Sequence, residues 1–261
     1  MHRFLIFTLS ASALFAQLSA PNQNGVSMGH FHIFVADPQA QKKIWVEAFG
    51  AEVTKVGGLE LLRLPGAFVV VGKARTAPTE GSEGSTLNHV GIAVKDLAAM
   101  KAKLAAVQVE TVPVPGNPKQ VTAKFPDKVD VELIEDAALP TAVAMHHFHL
   151  STTEPEKLRG WYVKTFGAKA GTRGNFLAAF LPGGEVDTRK TQAAQAPTKG
   201  RSLDHIGFEV KNLEAFCKQL AADGVQVETP YTNMKDIGLA WAFVIDPDGT
   251  RIELTEGFAG R

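Results

Sequence analysis

The sequence predicts an α+β protein of two tandem domains, each made of two βαβββ modules that form a curved-sheet cup. Three observations carry this. The segment LNHVGIAVKDL at 87–97 returns as LDHIGFEVKNL at 203–213, and GHFHIFVADP at 29–38 returns as HHFHLSTTEP at 146–155. The 117-residue shift of the second pair also carries FGA at 49–51 onto 166–168 and LPG at 64–66 onto 181–183. Finally, all four quarters of the chain open with a histidine, an alternating strand, a polar or acidic turn and a helix. A nearly constant shift means internal duplication. The expected domains are 27–138 and 143–257, with the joint in AALPTAVAM at 137–145.

The first twenty residues stand apart. Arg3 precedes an apolar stretch from Phe4 to Phe15, and small residues follow at Ala16, Ser19 and Ala20. That order is a secretory signal, so residues 1–20 are expected to be removed near Gln17 or Pro21 and the protein to be periplasmic or secreted. Gln17 and the polar PNQNG after it interrupt the apolar run, against a membrane anchor. In the first quarter, Asp37-Pro38 sets an N-cap and first helical turn, and Gly50 sits where that helix ends. In the fourth, Leu213, Phe216, Cys217 and Leu220 fall on one helical face. Stretches such as LELLRLPGAFVVV and WAFVIDPDGTRIEL read as strands joined by Pro/Gly turns. Cys217 is the only cysteine, so the fold rests on its apolar core without an intrachain disulfide. Lys+Arg and Asp+Glu balance at 27 each, which gives no basis for a nucleic-acid or anionic-membrane partner.

Alternation places the histidines. In HVGIAV, Val90, Ile92 and Val94 share the face that meets the helix, while His89, Gly91 and Ala93 look the other way, into a hollow. His30 and His32, His147 and His149, and His205 behave alike; His146 is expected on the helix side or in solvent, and His2 falls in the signal. The closing strand of each half adds Glu132 or Glu253 between two apolar residues, where a lone buried carboxylate would be costly. Each half thus offers a set, His30, His89 and Glu132 in the first and His147, His205 and Glu253 in the second. Two imidazoles and a carboxylate can hold a divalent ion and leave positions open. Fe(II), Mn(II), Zn(II) and Ni(II) all suit such a set.

On these residues the chain resembles a tandem member of the vicinal oxygen chelate superfamily, which includes glyoxalase I, extradiol dioxygenases, methylmalonyl-CoA epimerase and bleomycin-resistance proteins. The carriers are HVGIAVKD and HIGFEVKN at the strand openings, WYVKTFGA at a helix end and DPDGTRIEL closing the last module. The resemblance implies paired βαβββ modules around a metal held by first-strand histidines and a last-strand glutamate. It also implies a fourth acidic ligand in glyoxalase-type members. That position holds Phe68 and Val70 in the first half, and Glu185 and Asp187 in the second, where a solvated edge is the other reading. Trp241 and Phe243 stand where extradiol dioxygenases carry a tyrosine, which lowers the ring-cleavage reading. FPDKVDVEL replaces the usual DPDG turn in the first half, so the C-terminal cup is favoured if one cup works.

The expected function is an exported, metal-dependent lyase, isomerase or dioxygenase acting on a small molecule that chelates through two oxygens, through an enolate-like intermediate. His149 and Glu209 are the candidate bases, with His32 the counterpart in the first cup and Glu185 or Asp187 as substitutes; all could instead orient the ligands. The rival is a non-catalytic protein that sequesters a small molecule, as drug-resistance members do.

Overall fold

The computed structural model describes residues 18–261; the expected signal segment lies almost wholly outside them. The first module is β1 (Val26–Val35), α1 (Pro38–Glu47), β2 (Glu52–Val56), β3 (Leu59–Leu64) and β4 (Ala67–Lys73). The second is β5 (Leu87–Val94), α2 (Leu97–Ala106), β6 (Glu110–Val114), β7 (Asn117–Phe125) and β8 (Val129–Glu135). The third is β9 (Val143–Thr152), α3 (Pro155–Phe166), β10 (Lys169–Arg173), β11 (Phe176–Leu181) and β12 (Gly184–Lys190). The fourth is β13 (Leu203–Val210), α4 (Leu213–Ala222), β14 (Gln226–Met234), β15 (Leu239–Ile245) and β16 (Arg251–Glu256). The βαβββ order thus occurs four times.

Local chemistry fixes the helix starts. The Asp37 carboxylate accepts from the backbone N–H of Gln39 and Ala40, and Asp96 from that of Ala99. Acids from the closing strands also reach helix entries: Glu135 accepts from the N–H of Leu97 at the start of α2, and Glu256 from that of Leu213 at the start of α4. Gly167 ends α3 with φ 67°, the left-handed conformation that glycine takes without a Cβ clash.

The strands form two eight-stranded mixed sheets, in the orders β14-β15-β16-β13-β1-β4-β3-β2 and β10-β11-β12-β9-β5-β8-β7-β6. The first module therefore shares a sheet with the fourth, joined by the antiparallel pair β1/β13. The second shares a sheet with the third, joined by β5/β9. The two repeats visible in the sequence are not the two sheets: each sheet takes one module from either half. Between the sheets lies one apolar core that contains the helices. Trp45 of α1 touches Phe125 of the other sheet, Phe166 of α3 touches Phe208, and Phe31 of β1 meets Phe148 of β9. Phe31, Trp45, Phe148 and Phe208 are fully buried. The opposite, concave faces form the two cups.

Candidate metal centres

In the first cup the antiparallel register sets His32 opposite His205 and His30 opposite Gly207. A Cβ on Gly207 would fall 2.0 Å from Cε1 of His30, so only glycine leaves room for that ring. The parallel partner β16 brings Glu253 beside Gly207. Glu253 Oε2 lies 2.9 Å from His30 Nε2 and 3.0 Å from His205 Nε2. The ligating atoms of His30, His205 and Glu253 all lie within 4.8 Å of one another, a spacing that one ion could bridge. Burial alone would raise the Glu253 carboxyl, but the hydrogen bonds with His205 and His30 hold it well below the usual carboxylate range. Burial, then the neighbouring His205, keeps His32 well below the usual imidazole range and hence neutral.

The second cup repeats the scheme. His89 faces His149, His147 faces Gly91, and a Cβ on Gly91 would sit 2.0 Å from His147 Cε1. His89 Nε2 is 3.2 Å from His147 Nε2, and Glu132 Oε2 is 3.7 Å from the first and 3.5 Å from the second. The ligating nitrogens of His89, His147 and His149 also cluster within 4.8 Å. Glu185 and Asp187 on β12 pair in register with His147 and His149, and both are buried, so the solvated-edge reading of these acids is wrong. Their partner is Arg173, whose Nε is 3.0 Å from Glu185 Oε1 and 2.5 Å from Asp187 Oδ2. Its Nη2 is 3.3 Å from His147 Nε2. Burial, then Asp187, pushes Glu185 up to about 7 against the pull of Arg173, and burial pushes Asp187 up to about 6. A fixed cation thus stands among the groups that would ligate an ion in this cup. The donor set of the first cup, two imidazoles and a carboxylate, fits a divalent ion; in the second, His89, His147 and His149 are also spaced for one, with the Arg173 guanidinium close beside His147.

Several expectations need correction. The sets drawn within each half, His30–His89–Glu132 and His147–His205–Glu253, do not form. His30 and His147 trade places, because β1 pairs with β13 and β9 with β5. A cup confined to the C-terminal half is therefore not present, and the intact triad is His30, His205 and Glu253. His146 does not turn away: its Nδ1 is 3.0 Å from His147 Nδ1 and 3.7 Å from Glu185 Oε1. The reason is a β-bulge. The register jumps from Gly91↔His147 to Ile92↔Met145, so His146 is an extra residue that breaks the alternation. Burial, then Arg173, pushes His146 down to about 4.

Glu209 is not free to act as a base. Its Oε1 accepts from the backbone N–H of Gly257, Phe258 and Ala259, and its Oε2 from the Thr255 hydroxyl. It ties down the C-terminal tail and so sets the Phe258 ring 5.3 Å from that of His30. His149 does lie among the second-cup histidines, with both ring nitrogens buried and without a hydrogen bond, and burial, then His89 and Arg173, pushes it down to about 2.

Two residues escaped the sequence reading. Asp204 and Asn88 each precede a ligand histidine and are the extra residues of a second bulge pair, between His32/Ile33 and Leu87/His89. Asp204 Oδ1 is 2.7 Å from His205 Nδ1, and Asn88 Oδ1 is 2.8 Å from His89 Nδ1. An acceptor on Nδ1 fixes the tautomer and leaves Nε2 as the free donor pair toward the cup. Arg251 Nη1 in turn holds Asp204 at 2.7 Å. The LNH and LDH motifs carried this signal, an Asx residue immediately before each histidine.

Fold and site together define a tandem βαβββ protein with paired His/Glu clusters on concave sheets. Residues 144–254 match the family model of the Glyoxalase/Bleomycin resistance protein/Dioxygenase superfamily. That segment is a domain of the superfamily, and the whole chain is built on its tandem fold. Among solved structures, glyoxalase I from Zea mays is similar over 88% of this chain and 92% of its own, with TM-score 0.68 and 18% identity. A putative dioxygenase from Bacillus subtilis is similar over 94% of this chain and 88% of its own, with TM-score 0.68 and 16% identity. No curated protein matches the chain in sequence.

Proposed function

We propose that the protein is a metal-dependent enzyme whose working centre is His30, His205 and Glu253. The observation that carries this reading is the single carboxylate oxygen, Glu253 Oε2, within 3.0 Å of two imidazole nitrogens on facing strands. A divalent ion held there supplies Lewis acidity and open positions for a small molecule with two adjacent oxygens. Asp204 orients His205, while Phe68 and Val70 leave the adjoining strand without a fourth acid. On position, His32 is the candidate proton acceptor of the cup: its ring lies 4.7 Å from that of His205, on the strand face that carries His30. Phe243, packed edge-on to His205 at 4.9 Å, offers no hydroxyl for that role. This arrangement favours a lyase or isomerase that passes through an enolate-like state over ring cleavage.

A panel of α-hydroxyketones in deuterated buffer tests the reading. Exchange of the carbon-bound proton should require both the ion and His32. Oxygen uptake without exchange would point to a dioxygenase, and binding with neither would leave a sequestering protein. We also propose export, on the order of charge, apolar run and small residues in 1–20. Leu18 packs against the apolar cluster of Val56, Leu61, Phe68, Val70, Leu239 and Phe258, which favours a cut near Gln17 over one at Pro21. The N-terminal mass of protein from its native host decides this.

A further inference from the structure

The inner face of β1 runs His30, His32, Phe34, one side chain every two residues, or about 6.6–6.8 Å along the strand. Phe34 stacks on His32 at 4.3 Å with their planes 18° apart, and the His32 ring is 4.7 Å from that of His205. Phe34 lies over Gly72 of the neighbouring strand, where a Cβ would come within 2.8 Å of the phenyl ring. Phe34 also lines a cavity of about 350 Å³, together with Lys73, Arg75, Pro78 and Arg201 among others. No acid lines it. Lys73 and Arg75 are exposed, and their side chains have no hydrogen-bond or ion-pair partner among the described residues. Arg201 is buried and fixed, donating from Nε to Gly81 O and from Nη2 to Glu83 O. Its guanidinium is thus turned to the 81–83 loop, and the free cations of the cavity are Lys73 and Arg75; of the nearby acids, Glu80 is taken up by Lys128 at 2.8 Å and Asp204 by His205, Arg251 and the backbone N–H of Gly200. The repeat does not simply impose this feature: the residue matching Phe34 in the second cup is Ser151.

We propose that this cavity is an anion subsite of the first cup. It receives the carboxylate or phosphate end of a substrate whose chelating oxygens face His30, His205 and Glu253, with the substrate body lying along the His32–Phe34 stack. The assignment rests on the metal-centre reading for its other end, but the cationic cavity stands on its own geometry. Low-dielectric walls around charges of one sign raise the local concentration of an oppositely charged ligand.

Two arms test it and fail separately. In the first, metal-free full-length protein is titrated with benzoate, phenyl phosphate and neutral benzamide, and amide NMR shifts are followed at residues 34 and 72–76. Both anions, or one of them, should perturb these positions, benzamide should not, and Lys73→Gln with Arg75→Gln should abolish the response. The better of benzoate and phenyl phosphate identifies the terminal group. Equal shifts with benzamide, or none with either anion, would overturn the subsite. In the second, metal-loaded protein is offered adipic monohydroxamate and its terminal amide. The acid should bind about tenfold more tightly, an advantage lost in the double variant at unchanged metal content. Equal binding would refute the link between cavity and centre. Failure to load metal would sink the metal reading and leave the first arm to decide the cavity.

Discussion

Replacing Glu253 by Gln is the sharpest perturbation of the first cup. The substitution keeps the side-chain volume but removes the negative charge. Ile252 and Leu254, fully buried on either side, continue to pack against the core, so the fold should survive. Loss of a partner outside the ligand shell typically lowers metal affinity about 10–100-fold. Loss of the one charged ligand, at 2.9 and 3.0 Å from the two imidazoles, should cost at least the upper end of that range. In free energy that is about 2.8 kcal/mol or more. The control is Glu132→Gln in the second cup, where Arg173 already compensates the acids; metal content should not change. The assay is metal stoichiometry after loading with Mn(II) or Zn(II) and dialysis, with circular dichroism to confirm folding. One ion per chain in the wild type and in Glu132→Gln, and none in Glu253→Gln, is the expected pattern. Retention of stoichiometric metal by Glu253→Gln, or its loss only in Glu132→Gln, would refute the assignment.

Three further outcomes follow from the same geometry. Gly207→Ala puts a methyl group 2.0 Å from the ring of His30, so it should expel that ring and abolish metal binding without touching a ligand, at about 1–3 kcal/mol in stability by urea unfolding. Arg173→Gln leaves Glu185 and Asp187 uncompensated in the second cup, so metal-free protein should lose about 3 kcal/mol at neutral pH, and added Mn(II) should restore the melting temperature. Burial holds Asp246 up at about 6 against the donors Thr250, Asp248 and Tyr162, so the folded state binds its proton more tightly than the unfolded chain, whose Asp has a pKa of about 3.9. The stabilisation from that proton is complete below about pH 4 and lost as pH rises through about 6. Wild-type stability relative to Asp246→Asn should therefore fall across that window; a flat difference in urea titrations would contradict the raised value.

Much of this was legible in the sequence because it is local. Alternation with period two assigned Val90, Ile92 and Val94 to the core and His89 to the cup, and Asp37-Pro38 announced a helix that Asp37 indeed caps. The same reasoning found every member of the first-cup triad. What it could not find was which strands meet. A duplicated chain carries the same edge chemistry at β1, β5, β9 and β13, so the sequence alone allows either β1 with β5 or β1 with β13. Only the packing of all four helices into one core between two sheets selects the second.

The errors in register have the same origin, one level down. An alternation argument assumes an unbroken strand, and each central strand pair here is broken twice, by bulges that fall beside the ligand histidines. At the first of them the two cups diverge. Gly29 occupies the bulge of β1, where a Cβ would lie 2.8 Å from the Glu209 backbone nitrogen, while β9 carries His146 at the corresponding place. The glycine keeps the first cup free of an added imidazole, and Glu253 is left to hold both histidines. In the second cup His146 turns in toward Glu185, and Arg173 balances the acids beside it. The divergence between one cup whose two histidines share a carboxylate and one whose acids are balanced by an internal cation thus begins with single residues in the bulge and on the adjoining strand, on a backbone the two cups share.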